Sequence, residues 1–338
     1  MIPLALVLLG LQAALPRDEL PADLFTKTPP LGLPAEVPGP AKNPLTKASF
    51  ELGRRLFFDP LLSLDRTVSC ASCHQPAFGY SSPDALPIGV HGKKALRNAP
   101  TLFNRGFGRR QSWDGRAATL EEQVLLPIEN PVEMDLPLEK ALTRIRASET
   151  YRRRFAETWQ GGITEQNLSR ALASFVRGLM LGDSLIDRFR GGQLRALGPD
   201  AKAGLWLYES KGGCWRCHSG PNFSDEKLHN TGVGVRDGKP EAGRFAISGE
   251  DTDRGRFKTP TLRGLAQTAP YMHDGSLRSL RDVVHFYRRG GNENRWLDPA
   301  IRPLALSDEE VSQLVAFLEA LSPADIRPAS ARKRRRLE

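Results

Sequence analysis

The sequence predicts a mainly α-helical protein in which two similar domains pack together, with long loops and few strands. Apolar residues recur with the helical period in several segments, whereas no segment shows the apolar–polar alternation of a half-buried strand. A Cys-x-x-Cys-His frame begins at Cys70 and again at Cys214, which favours one frame in each domain. The length of 338 residues suits one large or two medium domains.

The first predicted helix precedes the first of these frames. Residues 17–44 are rich in proline and are interpreted as an extended lead-in. A helix is predicted from Lys47 to Phe57, because Leu52 and Phe57 then lie on one apolar side. Loops rich in Gly, Pro and Asn are expected to follow as far as about Leu120.

Four further helices are predicted in the rest of the chain. Thr164 is a candidate N-cap for an amphipathic helix, and Ser279 is a candidate N-cap for another. A helix over Asp200–Lys211 leads into the second frame. Ser307 begins a pattern that resembles a capping box before Val311–Leu321.

The domain boundary is predicted near residues 180–200, where the segment GDSLIDRFRGGQ is polar and contains glycine. The predicted parts are a signal peptide (1–16), the Pro-rich lead-in (17–44), an N-terminal domain (45–185), a C-terminal domain (186–325) and a basic tail (326–338).

The apolar N-terminus predicts export from the cytoplasm. Its run is too short to span a bilayer and ends in Ala13 and Ala14 before Pro16, as a signal-peptide core does, although no Lys or Arg precedes Arg17. No later apolar run reaches about 18 residues, so no transmembrane segment is expected. A periplasmic location follows as an expectation.

The positive charge does not point to nucleic acid. Of the formal net charge of +9, more than half comes from the last twelve residues, which hold six basic residues and one acidic residue. Such a tail is usually solvated. Binding of an acidic partner or of a membrane surface by the tail stays open.

The four cysteines indicate two covalently attached c-type haems. The frames use every cysteine of the chain and comprise Cys70, Cys73 and His74, then Cys214, Cys217 and His218. Two thiols at this spacing can form thioethers with the two vinyl groups of one porphyrin, and the adjacent histidine can bind its iron. A thioredoxin-type dithiol would need a βαβ context, and a zinc site usually keeps its cysteine pairs closer in sequence.

Several segments outside the frames resemble one bacterial family. They are Arg97-Asn98-Ala99-Pro100-Thr101, Trp113-Asp114-Gly115-Arg116, Glu121-Glu122-Gln123, the run from Pro127 to Met134 (PIENPVEM) and the run from Thr268 to Ser276 (TAPYMHDGS). The sequence is similar to the di-haem cytochrome c peroxidases and MauG over roughly residues 45 to 322. This resemblance implies two cytochrome c-like haem domains, the first peroxidatic and the second for electron transfer.

The resemblance also implies the residues beside the first haem. Glu133 and Gln123 match the family's distal pair, and Pro127 matches a proline of the distal pocket. A carboxylate there can take a proton from bound peroxide and return it to the leaving oxygen, while an amide holds the peroxide by hydrogen bonds. Without its surrounding motif, Glu133 would be interpreted as a surface carboxylate.

Between the haems, the resemblance implies an electron relay and a calcium ion. Trp113 matches the family's inter-haem tryptophan, which can carry an electron or serve as a buried wedge between the domains. Asn98, Thr268 and Pro270 match the calcium site. One amide oxygen, two backbone carbonyls and waters suit this hard cation.

The second haem departs from the conventional peroxidases. Typical members have a methionine ligand about fourteen residues after the position of His273, but here Tyr287 occupies that place, as in MauG, and no methionine follows Met272. An oxygen ligand lowers a haem's reduction potential, whereas methionine raises it. His285 is the rival ligand, but it lies about 200° from Tyr287 around a helix, so both cannot face one iron.

Two other histidines and two tryptophans are candidates for roles at the haems. His91 could cap the first haem at rest, although its spacing favours a loop residue, and His229 is expected to be structural. MauG passes electrons through a surface tryptophan six residues before its second haem histidine. Here that position is Gly212, and Trp206 and Trp215 are not equivalent, so the same substrate is not implied.

The predicted function is that of a periplasmic peroxidase that uses hydrogen peroxide to oxidise an electron donor. Two alternatives remain: an enzyme that modifies residues of a partner protein, as MauG does, and a non-enzymatic electron-transfer cytochrome. The partner would be a small electron-donor protein or a protein substrate. A homodimer is one assembly that the sequence allows.

Overall fold

The computed structural model describes residues 25–323. The predicted signal peptide (1–16), the start of the lead-in and the basic tail (326–338) lie outside the described residues. Within residues 25–323 the protein is mainly helical, as predicted, and no helix there is long and apolar enough to cross a membrane.

Twelve α-helices and one two-stranded antiparallel sheet are present in the described part of the chain. They are α1 (Lys47–Phe58), α2 (Cys70–Cys73), α3 (Leu120–Gln123), α4 (Leu126–Glu129), α5 (Leu138–Ala147), α6 (Glu149–Thr158), α7 (Glu165–Gly178), α8 (Leu185–Arg190), α9 (Pro199–Glu209), β1 (Leu228–His229), α10 (Phe245–Ser248), β2 (Phe257–Lys258), α11 (Leu280–Arg288) and α12 (Asp308–Ala320). Leu228 pairs with Lys258, and His229 pairs with Phe257.

The longer predicted helices are confirmed. The side chains of Thr164, Ser279 and Ser307 each accept a hydrogen bond from a backbone N–H of the first helical turn, so each one is an N-cap. Helix α9 ends at Glu209, two residues before the predicted Lys211, and the chain then turns through Gly212 and Gly213.

The first hydrophobic core is centred on α1 and α7, which cross at Gly53. A Cβ placed on Gly53 would lie 1.9 Å from the carbonyl oxygen of Ala171, so only glycine allows this close approach. Phe50 and Phe175 are fully buried beside the crossing, with ring centroids 5.2 Å apart. The crossing thereby fixes the helix pair that leads to the first Cys-x-x-Cys-His frame.

The second core repeats this arrangement with α9 and α12. A Cβ on Gly204 would lie 2.0 Å from the carbonyl oxygen of Gln313. Tyr208 and Phe317 pack beside the crossing with ring centroids 4.9 Å apart. The first core includes residues from Phe50 to Leu179, and the second includes residues from Ile186 to Leu321.

Buried polar contacts join the two cores. Arg105 donates to both carboxylate oxygens of Glu226, at 2.9 and 3.2 Å, and both side chains are only 9% exposed. The backbone N–H of Asn98 donates to the carbonyl of His273 at 2.8 Å. These contacts hold the loop that contains Asn98 against the segment from β2 to α11.

Candidate active site

The first Cys-x-x-Cys-His frame lies in a deep cavity of the N-terminal half. Cys70 and Cys73 begin and end α2, and His74 follows as its C-cap, so the three side chains line one wall. Much of the remaining lining is apolar and includes Phe57, Val68, Leu102, Leu120, Val124, Leu172 and Val176. An apolar cleft with a few polar groups is the usual setting of a cofactor.

The ring of His74 has the orientation that an iron ligand needs. Its Nδ1 lies 3.0 Å from the carbonyl oxygen of Tyr80. A carbonyl can only accept, so Nδ1 carries the proton and Nε2 keeps its lone pair for a metal. Burial lowers the pKa of His74, which favours this neutral form.

The thiols of the first frame suit thioether attachment. Neither cysteine is in a disulfide, and burial raises the pKa of both Cys70 and Cys73 to about 12. Both are therefore neutral thiols in the absence of a bound group. The frame fits a haem that takes its iron ligand from His74.

The second frame lies in a second cavity with the same internal arrangement. Cys214, Cys217 and His218 line it, and the Nδ1 of His218 lies 3.0 Å from the carbonyl oxygen of Phe223. Burial raises the pKa of Cys214 to about 11 and lowers that of His218. The second cavity therefore fits a haem that takes its iron ligand from His218, in the same way as the first cavity fits a haem bound by His74.

Tyr287 of α11 lines the second cavity, whereas His285 does not. The side chain of Thr231 makes a hydrogen bond with the Tyr287 phenol, and burial raises the pKa of Tyr287 to about 12. Helical geometry separates the two candidate ligands as the sequence analysis expects. His218 and Tyr287 are therefore the imidazole and the phenol that share this cavity.

The two cavities have a common wall. Asn98, Pro100, Thr101 and Trp113 line both of them. The carbonyl of Trp113 accepts from the backbone N–H of Lys258 at 2.7 Å, so this wall is also a contact between the two cores.

The distal residues expected at the first haem lie together in the first cavity. Glu133, Gln123 and Pro127 all line it. The amide of Asn130 donates to Glu133 Oε1 at 2.7 Å, and Gln123 Oε1 accepts from the Ser112 hydroxyl at 2.5 Å. Burial raises the pKa of Glu133, while the hydrogen bond from Asn130 and the charge of Arg116 oppose this rise.

The residues expected to bind calcium line one cavity. Asn98, Thr268 and Pro270 line the second cavity. The amide nitrogen of Asn98 donates to the carbonyls of Asp84 and Ala85, at 3.0 and 3.3 Å, which identifies Oδ1 as the atom left for a cation. An amide oxygen and backbone carbonyls are suitable calcium ligands.

Two other histidines have different surroundings. His91 is on the surface, lines neither cavity, and lies 3.9 Å from a carboxylate oxygen of Asp135. His229 lines the second cavity between Asp225, at 3.0 Å, and Asp298, at 2.6 Å. Through these contacts His229 joins β1 to the loop that follows α11, in which Asp298 lies.

Trp206 and Trp215 are both on the surface, with exposures of 64% and 48%, and neither lines a cavity. Gly212 does line the second cavity.

Three further residues surround the distal pair and have no role predicted from the sequence. Ser112, Asn130 and Arg116 all line the first cavity. Each lies in or beside a motif that carries the family resemblance, and this position is the sequence signal that could have identified it as a site residue. Their contacts with Gln123, Glu133 and Asp114 could not be read from the motif letters alone.

Two cavities, each with a Cys-x-x-Cys-His frame and a histidine whose Nδ1 lies 3.0 Å from a backbone carbonyl, fit a cytochrome c-type protein with two haem centres. A family model described as di-haem cytochrome c peroxidase matches residues 47–195. The chain belongs to this family, the di-haem cytochrome c peroxidases and MauG proteins, and is a haem oxidoreductase.

Individual relatives support this membership. The methylamine utilization protein MauG of Methylorubrum extorquens is 38% identical over 291 residues, which cover 85% of this chain and 82% of that protein. The cytochrome c551 peroxidase of Nitrosomonas europaea is 34% identical, covering 80% of this chain and 79% of the relative. A solved structure of a MauG-like protein associated with microbial copper homeostasis is 32% identical, with a TM-score of 0.81 over 88% of this chain and 96% of that one.

Proposed function

We propose that the protein is a periplasmic peroxidase that reduces hydrogen peroxide at its first haem centre and oxidises an electron donor. We also propose that Tyr287 is an iron ligand of the second centre. The observation that carries the proposal is the combination of Glu133 and Gln123 in the first cavity with Tyr287 in the second. A carrier that only transfers electrons has no need of a distal acid–base group.

The attachment of both haems is part of the proposal. Cys70 and Cys73 would form the thioethers of the first haem, and Cys214 and Cys217 those of the second. His74 and His218 would bind the irons through Nε2. Once bound, the haem irons supply the redox chemistry that no side chain of this protein can supply.

The protein's own part at the first cavity is proton transfer. Ionised Glu133 would take a proton from one peroxide oxygen and return it to the other, so that this oxygen can leave as water when the O–O bond breaks; the two electrons that this cleavage needs would come from the haem centres. Asn130 fixes the position of the carboxylate through its hydrogen bond of 2.7 Å. Gln123, whose Oε1 is occupied by Ser112, has its amide N–H groups as donors for a peroxide oxygen.

Trp113 would connect the two centres, because this residue lines both cavities. Asn98, Thr268 and Pro270 would hold calcium beside it. This metal can be tested by elemental analysis of the purified holoprotein before and after chelation, with the far-UV and haem spectra recorded in parallel.

A second candidate function is the oxidation of residues in a partner protein, which Tyr287 favours over conventional peroxidase chemistry. Gly212 argues against the route through a surface tryptophan that MauG uses. The specific substrate of MauG is therefore not part of the proposal.

The proposed function is tested by adding hydrogen peroxide to the fully oxidised holoprotein while optical and EPR spectra are recorded. We expect rapid reaction without prior reduction and loss of the ferric signals of both haems. Reaction only after one haem is reduced would instead favour a conventionally activated peroxidase with a capped first haem. Inertness in both states would contradict peroxidase function.

The Glu133→Gln variant tests the role of the carboxyl group in the same assay. We expect it to retain both haems and to react with peroxide at least about 100-fold more slowly. An unchanged rate would overturn the assignment of Glu133.

A further inference from the structure

Arg116 is fixed in place by a buried carboxylate. Its Nε lies 3.0 Å from Asp114 Oδ1 and its Nη2 lies 2.5 Å from Oδ2, so the guanidinium and the carboxylate form a forked pair. Asp114 has no exposed surface, and Arg97 also donates to its Oδ2, at 2.6 Å. Two guanidinium groups thus share one carboxylate, which leaves a net positive charge on the cluster.

The positive charge of this cluster acts on Glu133. Arg116 and Glu133 line the same cavity, and each affects the ionisation of the other. Arg97 lines this cavity as well, but its guanidinium lies over the Phe257 ring at 4.9 Å from the centroid. Arg116 is the arginine of the pair whose charge lowers the pKa of Glu133.

Arg105 also lines the first cavity, but its charge is paired with Glu226 at 2.9 Å. The thiols of Cys70 and Cys73 are neutral, and as thioethers they would no longer ionise. On the outer side of the loop that carries Glu133, the exposed ammonium group of Lys93 donates to the Pro131 carbonyl, and His91 lies 3.9 Å from Asp135. None of these three outer groups lines the first cavity, whereas Arg116 does.

We propose that Arg116, anchored by Asp114, is a positioning residue that keeps Glu133 ionised when peroxide arrives. This inference rests on the proposed function, in which Glu133 must first accept a proton. Burial alone would leave Glu133 protonated over a wider pH range and so delay that step. The hydrogen bond from Asn130 and the fixed positive charge of Arg116 both oppose this effect of burial and favour the carboxylate.

The test is an infrared titration of the Glu133 carboxyl band in the oxidised holoprotein, with the band assigned by its loss in Glu133→Gln. In Arg116→Gln we expect the titration midpoint to move to higher pH. The peroxide reaction on the acidic side of the profile should slow on the order of tenfold, which corresponds to one pKa unit. Arg116→Lys, which keeps a positive charge, should restore part of both effects.

Arg109→Gln is the matched control. It removes an exposed arginine from the same loop, and Arg109 does not line the first cavity. We expect neither the band midpoint nor the rate profile to change in this variant, so a general effect of net charge is separated from the effect of Arg116.

The outcomes distinguish this inference from the proposed function. An unchanged carboxyl titration in Arg116→Gln, together with a slow Glu133→Gln variant, would overturn the role of Arg116 and leave the function intact. A fully active Glu133→Gln variant would overturn the function itself. Equal shifts in Arg109→Gln and Arg116→Gln would also contradict the proposal.

Discussion

The indole N–H of Trp113 donates a hydrogen bond to the backbone carbonyl of Asn98 at 2.8 Å. Both residues line both cavities. Asn98 thus holds the tryptophan ring in a defined orientation. The backbone N–H of Asn98 in turn donates to the carbonyl of His273 in the C-terminal half of the chain.

We predict that Trp113→Phe folds but transfers oxidising equivalents between the centres more slowly. The substitution removes one hydrogen bond, with a net contribution of about 1 kcal/mol, and keeps an aromatic ring in the wall. Stopped-flow spectra should show the first haem reacting with peroxide at nearly the normal rate while the second lags. Simultaneous oxidation of both haems at the normal rate would leave Trp113 with a packing role only.

For the second centre, we predict that Tyr287→Met raises the reduction potential of its haem. A neutral thioether stabilises ferrous iron relative to an anionic oxygen ligand. Spectroelectrochemical titration of both haems measures the change. His285→Ala is the control and should leave the spectrum and both potentials unaltered; the assignment fails if this control changes them and Tyr287→Met does not.

The rate of the peroxide reaction should fall as the pH is lowered through the pKa of Glu133. Burial raises this pKa, so the midpoint of the fall should lie above that of an ordinary glutamate. The direction follows from the requirement for the ionised base, because the protonated form is inactive in the first step. The midpoint is measured from the pH profile of the second-order rate constant for the peroxide reaction. A rate constant that does not fall as the pH is lowered would contradict this mechanism.

At the contact between the cores, we predict that Glu226→Gln destabilises the protein by about 3 kcal/mol. It leaves the buried guanidinium of Arg105 without its carboxylate partner, and it removes the same carboxylate from the buried amine of Lys258, which lies 3.9 Å from Glu226. Glu209→Gln is the control, because Glu209 forms an exposed pair with Arg190 and should change stability by no more than about 0.5 kcal/mol. Denaturant unfolding of the holoproteins measures both, and equal losses would contradict the prediction.

Features encoded by neighbouring residues could be predicted from the sequence. The N-caps at Thr164, Ser279 and Ser307 depend on side chains three residues or fewer from the N–H groups that they bind. The two Cys-x-x-Cys-His frames are likewise local, and so is the separation of His285 from Tyr287 around one helix.

Features that depend on distant parts of the chain could not be predicted. Arg105 and Glu226 are 121 residues apart in sequence, and no motif links them. The strands β1 and β2 have two residues each, which is too short for an alternating pattern. Helices α5 and α6 were missed because they are rich in charge, although Arg144 of α5 is anchored by the carbonyls of Leu61, Ser63 and Leu64.

The common wall of Asn98, Pro100, Thr101 and Trp113 has a consequence for the pair of centres as a whole. A single layer of protein separates the cavities, and charge is poorly screened across such a layer. The first electron to enter should therefore make entry of the second less favourable, even if both centres were otherwise identical. The two reduction steps would then be separated in potential, and the potential of each centre would depend on the charge of the other, unlike those of independent carriers joined in one chain.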